Sequence, residues 1–102
     1  MKRYIITLSA SRDLAEITNY FASRNIDKGE QLLATFNKKC KQLIKFPQMG
    51  RSYEEVRPNL RGLPLNGYII LYQVTEDLLE ILRVIHGSRD LENLFESDEY
   101  IS

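Results

Sequence analysis

The sequence predicts an α+β fold in which a helical hairpin covers a mainly antiparallel sheet of about four strands. Three observations lead there. Leu14–Phe21 and Leu32–Ile44 repeat their apolar residues at helical spacing. After Pro47 the pattern changes to short apolar runs separated by turn residues, as strands require. The three later runs are joined by short turns, so they pair as an antiparallel meander.

The elements follow in chain order. Tyr4–Leu8 is β-branched and aromatic and reads as a strand. Ser9 and Ser11 are competing N-caps for the first helix. Leu14, Ile17 and Phe21 form its apolar stripe over about four turns. Asn25-Ile26 breaks the chain, and Asp27 with Glu30 forms a capping box that opens the second helix. Leu32, Leu33, Phe36, Cys40, Leu43 and Ile44 carry that helix's apolar face. It ends before Phe46-Pro47, because proline disfavours helix in the residue before it. Lys38, Lys41 and Lys45 lie on its other face and read as a solubilising stripe.

Met49 to Asn59 reads as a loop, with Gly50 and Pro58 as breakers. Leu60–Leu65 is a short strand whose Pro64 belongs at an edge or strand end. Asn66-Gly67 is a two-residue hairpin signal, since both central positions of a type I′ turn need positive φ. Tyr68–Val74 and Leu78–His86 are apolar strands on either side of the turn at Thr75-Glu76-Asp77. Gly87-Ser88 ends the last strand, and Arg89 to Phe95 has the pattern of a short C-terminal helix. The helical hairpin is the only cover available to so apolar a sheet. The whole of residues 1–102 reads as one domain.

Composition narrows the function classes. One cysteine, Cys40, cannot form an internal disulfide, which points to the reducing cytoplasm. One Cys and one His make no metal-ligand cluster, so no metal or other cofactor is expected. The N-terminal apolar stretch is too short for a membrane span. The net charge of zero hides an asymmetry. Residues 1–89 hold all 14 basic and nine of the 14 acidic residues, while residues 90–102 hold the other five acids and no base. A basic body followed by an acidic tail suits an anionic partner, and the tail is a candidate mask for that body.

Four phrases then carry a family resemblance. They are Phe46-Pro47-Gln48-Met49-Gly50-Arg51, Leu60-Arg61-Gly62-Leu63-Pro64, Tyr68-Ile69-Ile70-Leu71-Tyr72-Gln73-Val74, and Ile81-Leu82-Arg83-Val84-Ile85-His86-Gly87-Ser88-Arg89-Asp90. In this order and spacing the chain resembles the RelE/ParE toxins of type II toxin–antitoxin systems, and the first and last phrases look most like the ParE branch. The resemblance implies a growth-inhibiting toxin that binds and stalls DNA gyrase. It also implies a hetero-oligomer with a small ParD-like antitoxin whose partly disordered segment wraps the toxin. The alternative is a RelE-like, metal-independent endonuclease that cuts mRNA on the ribosome.

RNA cleavage through the 2′-hydroxyl needs a base, an acid and cations for the charged phosphorane. The arginine that RelE-type toxins place after the hairpin aromatic falls at Ile69, and their C-terminal tyrosine falls at Phe95. Their paired lysines fall in the loop around Arg57, the one cation there, while their later arginine is matched by Arg89. Isoleucine cannot neutralise a phosphate, and phenylalanine has no hydroxyl. His86 and Arg89 are the remaining catalytic candidates, since a histidine with its ordinary pKa of about 6.5 can act as acid or base. Arg51, Arg57, Arg61, Arg83 and Arg89 are candidates for the target or antitoxin surface, because arginine suits planar carboxylates and phosphates. By strict alternation Arg83 falls between Ile81 and Ile85 on one face of its strand, with Glu54, Glu55 or Asp90 as candidate partners. Tyr68 and Tyr72 share one strand face and read as core or groove lining.

Overall fold

The first strand is shorter than its β-branched run, because Thr7 does another job. In the computed structural model, which describes residues 3–87 with Leu91, Asn93 and Leu94, strand β1 is Arg3–Ile6 and helix α1 is Leu8–Ala22. Thr7 caps α1: its hydroxyl accepts from the Ala10 N–H at 3.2 Å. Ser9 and Ser11, the expected caps, lie inside the helix. The cap also ties helix to sheet, since Thr7 N–H donates to the Ile81 carbonyl at 3.0 Å and Thr7 Oγ1 to the Leu82 carbonyl at 3.0 Å.

Helix α2 is Ile26–Lys45. Its cap is Asn25, whose side chain accepts from Lys28 N–H at 3.2 Å. The helix therefore starts before the expected Asp27–Glu30 capping box, which does not form: the cap lies two residues earlier, the third helical position is Lys28, and Asp27 sits in the first turn, where a carboxylate suits the helix dipole. The helix stops one residue before Phe46, as Pro47 requires.

The remaining strands are β2 (Arg51–Ser52), β3 (Leu60–Leu65), β4 (Tyr68–Thr75) and β5 (Leu78–His86). They form a five-stranded sheet in the order β1-β5-β4-β3-β2, with β1 parallel to β5 and the other pairs antiparallel. The two-residue β2 lies in the stretch expected to be loop. Pro64 lies beyond the two-residue pairing of β2, so its missing N–H leaves no ladder bond unmade. Asn66 and Gly67 both have positive φ, 46° and 88°, as the hairpin signal requires.

Both faces of the sheet are covered. On one face Ile17, Phe21, Leu32, Phe36, Cys40 and Leu43 of the hairpin pack on Leu63, Leu65, Ile70, Tyr72, Leu79, Ile81 and Val84. Burying a side chain such as Phe36 or Leu43 contributes roughly 1.5–3 kcal/mol before entropy is counted. On the other face Leu60, Leu71 and Ile85 are covered by Tyr53 and Val56 of the β2–β3 connection and by Leu91 and Leu94. The helical hairpin is therefore not the sole cover. Leu91, Asn93 and Leu94 are helical, while Arg89, Phe95 and the acidic tail lie outside the described residues.

A bulge breaks the alternation of β5. Leu71 pairs with Arg83 and Tyr72 with Ile81, leaving Leu82 as the extra residue. Ile81 and Val84 consequently face the helices, whereas Leu82 and Ile85 face the opposite side. The expectation that Arg83 lies between Ile81 and Ile85 on one face fails for that reason.

Candidate functional site

The arginines proposed as a common surface divide among three settings. Arg83 is held inside the helix–sheet junction. Its Nε and Nη2 donate to the two carboxylate oxygens of Asp13 at 2.8 and 3.0 Å. The same carboxylate accepts the Val84 N–H at 2.9 Å. Val84 lies just past the end of the β1–β5 pairing, where the chain has left the sheet for α1. Asp13 thus supplies the acceptor that a longer β1 would have supplied. Its partnership with Arg83 replaces the expected ones with Glu54, Glu55 or Asp90. The two side chains are only 14% and 11% exposed, so this guanidinium meets a phosphate or a partner carboxylate only by giving up Asp13.

Arg61 is half-buried and works on the chain that follows α2. One of its terminal nitrogens donates to the Gly50 carbonyl at 2.7 Å and to the Gln48 carbonyl at 3.2 Å. Tyr72, fully buried in the middle of β4, adds two bonds to the same loop. Its hydroxyl accepts the Gly50 N–H at 3.0 Å and donates to the Pro47 carbonyl at 2.7 Å. Burial pushes the Tyr72 phenol above its usual range, opposed by the Gly50 N–H and the nearby Arg61 charge. A Cβ on Gly50 would lie 2.5 Å from the Tyr72 oxygen, so only glycine lets the loop approach this closely.

Arg51 points to the other face. It pairs in register with Gly62 while Ser52 pairs with Arg61, so by the pleat Arg51 and Arg61 diverge. Arg51 lies over the Tyr53 ring at 4.5 Å and makes an exposed 3.9 Å contact with Glu55. Arg57 is half-buried in the turn beyond Tyr53. Arg51 and Arg61 therefore do not converge.

His86 ends β5 on the helix side, edge-on to Tyr68 with ring centroids 5.7 Å apart. With Tyr20, Lys28, Gln31 and Asn66 it borders an open groove of about 580 Å³. Ile69, at the position of the nuclease arginine, packs on the opposite face with Leu60, Leu71 and Ile85. His86 and Ile69 thus face opposite sides of the sheet. Among the described residues no group of three His, Cys, Asp or Glu side chains could hold a metal ion.

Comparison with known proteins fits this architecture. The family of the ParE toxin of type II toxin–antitoxin system, parDE, matches residues 4–91. The chain belongs to the ParE toxin family. Toxin ParE1 of Mycobacterium tuberculosis, in strains CDC 1551 / Oshkosh and ATCC 25618 / H37Rv, is 29% identical over 92 residues, covering 88% of this chain and 94% of the relative. A solved structure described as the chromosomal ParDE TA system from P. aeruginosa superposes with a TM-score of 0.71 at 20% identity. It covers 84% of this chain and 96% of its own, and so shows the shared fold.

Two features of this ParE-family chain escaped sequence reasoning. Asp13 left a signal: it lies three residues after Ala10 and four before Ile17, on the buried stripe of α1. A carboxylate on such a stripe calls for a cation across the interface. The loop at Phe46 left a second. Residues 31–53 contain Lys38, Lys39, Lys41, Lys45 and Arg51 and no Asp or Glu. Phe46 is 64% exposed and Met49 is 41% exposed within that stretch.

Proposed function

We propose that this ParE-family chain is a cytoplasmic toxin that inhibits DNA gyrase by binding it, and that a cognate ParD-like antitoxin neutralises it in a hetero-oligomer. The family match over residues 4–91 carries the reading. The P. aeruginosa relative is described as part of a ParDE system, which supports an antitoxin of the ParD kind. Ile69 favours binding over RNA cleavage, because an isoleucine packed among Leu60, Leu71 and Ile85 cannot neutralise a phosphate. All of residues 1–102 act as one domain on this reading. On this reading Arg51 supplies exposed charge to the binding surface, Arg57 and Arg89 are further candidates for it, Arg61 shapes the loop at Gly50, and Arg83 holds the fold.

A gyrase supercoiling assay beside primer extension on translated mRNA tests the proposal. The expected result is loss of supercoiling with cleaved DNA trapped on the enzyme, relieved by antitoxin, and no new transcript ends. Transcript cuts that disappear in His86→Ala would overturn it in favour of the nuclease reading.

A further inference from the structure

The segment Phe46–Arg51 combines features that usually exclude one another. Its backbone is held, and it presents two large apolar side chains to solvent beside the polar Gln48 and Arg51. Phe46 N–H donates to the Gln42 carbonyl at 2.9 Å, and Met49 N–H to the Phe46 carbonyl at 3.1 Å. Tyr72 and Arg61 then grip the carbonyls of Pro47, Gln48 and Gly50 and the N–H of Gly50. Two sheet side chains thus hold this loop at four backbone atoms. The loop they hold presents Phe46 and Met49 outward, 64% and 41% exposed. A large aromatic held in place before binding loses little entropy on docking, and such residues dominate interface energetics.

The surroundings specify the partner. Lys38, Lys41 and Lys45 are exposed along the end of α2 leading to Phe46, and residues 31–50 carry no carboxylate; Glu54 comes near the loop only on the side of Pro47 and Gln48. Part of that charge suits the C-terminal dipole of α2, but Lys38 and Lys41 lie before the last turn, where the effect has faded. A second copy of this chain would set two such cationic stretches against each other. A disordered segment that folds on binding needs a groove on its receptor, whereas Phe46 and Met49 project and need a pocket on the partner.

We propose that Phe46 and Met49 are the anchor by which the toxin grips its target, a folded protein with an apolar pocket rimmed by carboxylates that face Lys41 and Lys45. The inference rests on the reading of the chain as a target-binding toxin and deepens it. Tyr72, Arg61 and Gly50 are positioning residues for this anchor.

The test uses Phe46→Ala, Met49→Ala and the double charge reversal Lys41→Glu/Lys45→Glu. Each is assayed for purified gyrase inhibition, growth inhibition in cells, and antitoxin affinity, with circular dichroism and thermal unfolding as folding controls. Phe46→Ala should raise the toxin concentration for half-inhibition about tenfold or more while antitoxin affinity holds. Phe46→Tyr should retain most activity, and the charge reversal should weaken inhibition most at low salt. Full potency of folded Phe46→Ala in both inhibition assays overturns the proposal. So does an equal loss of antitoxin affinity, which would assign the loop to the antitoxin. DNA-fragment binding that is lost in the charge reversal but kept in Phe46→Ala would assign the lysines to nucleic acid and also overturn it. If wild-type toxin stops growth without touching gyrase and Phe46→Ala does not stop growth, the anchor stands and the gyrase reading falls.

Discussion

Two junctions in this molecule use the same materials for different ends. Where β1 gives way to α1, Asp13, Arg83, Thr7 and the bulged carbonyl of Leu82 close a nearly buried network between helix and sheet. Where α2 gives way to β2, Arg61 and Tyr72 clamp a loop whose side chains face water. Each junction has one arginine and several orphan backbone groups. In the first, every group turns inward and the product is a fixed helix–sheet angle. In the second, only the backbone is gripped, and the apolar side chains of Phe46 and Met49 are left outside. On the proposed reading, the surface that meets another protein is built from side chains the fold leaves outside.

The largest expected effect lies at the first junction. Asp13→Ala removes the acceptor of three hydrogen bonds and leaves a nearly buried guanidinium and the Val84 N–H without it. Breaking one side of such a pair costs about 3 kcal/mol. Urea unfolding of the variant measures it, and a loss below about 1 kcal/mol would show that water replaces Asp13 freely.

The helix-packed core has its own pH signature. Cys40 lies fully buried on α2, and burial pushes its thiol from 9.0 up to about 12. Above the lower value the unfolded chain has given up a proton that the folded chain retains. Stability from this group is therefore full below the unfolded pKa and falls as pH climbs through the window up to the folded one. The loss is on the order of 2 kcal/mol by about pH 10.5. The raised phenols of Tyr4 and Tyr72 act in the same direction at higher pH. Unfolding midpoints of wild type and Cys40→Ala across this range should converge as pH rises. Parallel curves would mean the thiol does not carry the slope.

At the second junction the expected effect is smaller. Tyr72→Phe keeps the packing of the ring and deletes the hydroxyl that bridges Gly50 and Pro47. Leaving those two backbone groups to find water costs about 1–2 kcal/mol. Because Gly50 N–H then loses its acceptor and Arg61 is the one sheet side chain of the clamp that remains, hydrogen exchange at Gly50 should rise more than exchange in β5. Uniform change across both would mean the hydroxyl stabilises the domain as a whole and does not position the loop.

These contrasts also mark what the sequence makes legible. Helical periodicity, Pro47, the Asn66-Gly67 turn and the apolar runs of β4 and β5 act locally, so their elements can be read from neighbours in the chain. The bulge at Leu82 cannot, because it arises from register against β4 and from the place where β1 stops. That one slip put Ile81 and Ile85 on opposite faces, and the early end of β1 left Arg83 beside a partner 70 residues away. The caps shifted for a related reason: Thr7 wins over Ser9 and Ser11 because it also bonds across the sheet to Leu82. The clamp on Gly50 was hidden in Tyr72, which periodicity assigns to the core correctly without indicating what its hydroxyl does.

The smallest expected effect completes the comparison between ion pairs. Arg51 and Glu55 lie 3.9 Å apart with side chains 71% and 59% exposed, whereas Arg83 and Asp13 are 2.8 Å apart and nearly buried. Water and salt screen the first pair almost fully, so a double-mutant cycle on Arg51 and Glu55 should give a coupling below about 0.5 kcal/mol that fades in salt. Arg51→Ala alone should cost a little more, since the guanidinium also lies over the Tyr53 ring at 4.5 Å, a contact contributing about 0.5–1 kcal/mol at exposed sites. The same cycle on Arg83 and Asp13 should give a coupling several times larger and insensitive to salt. Equal couplings would mean that burial does not separate the arginine that holds the fold from the arginine left free to exchange partners. The division of the basic residues into those two roles would then fail.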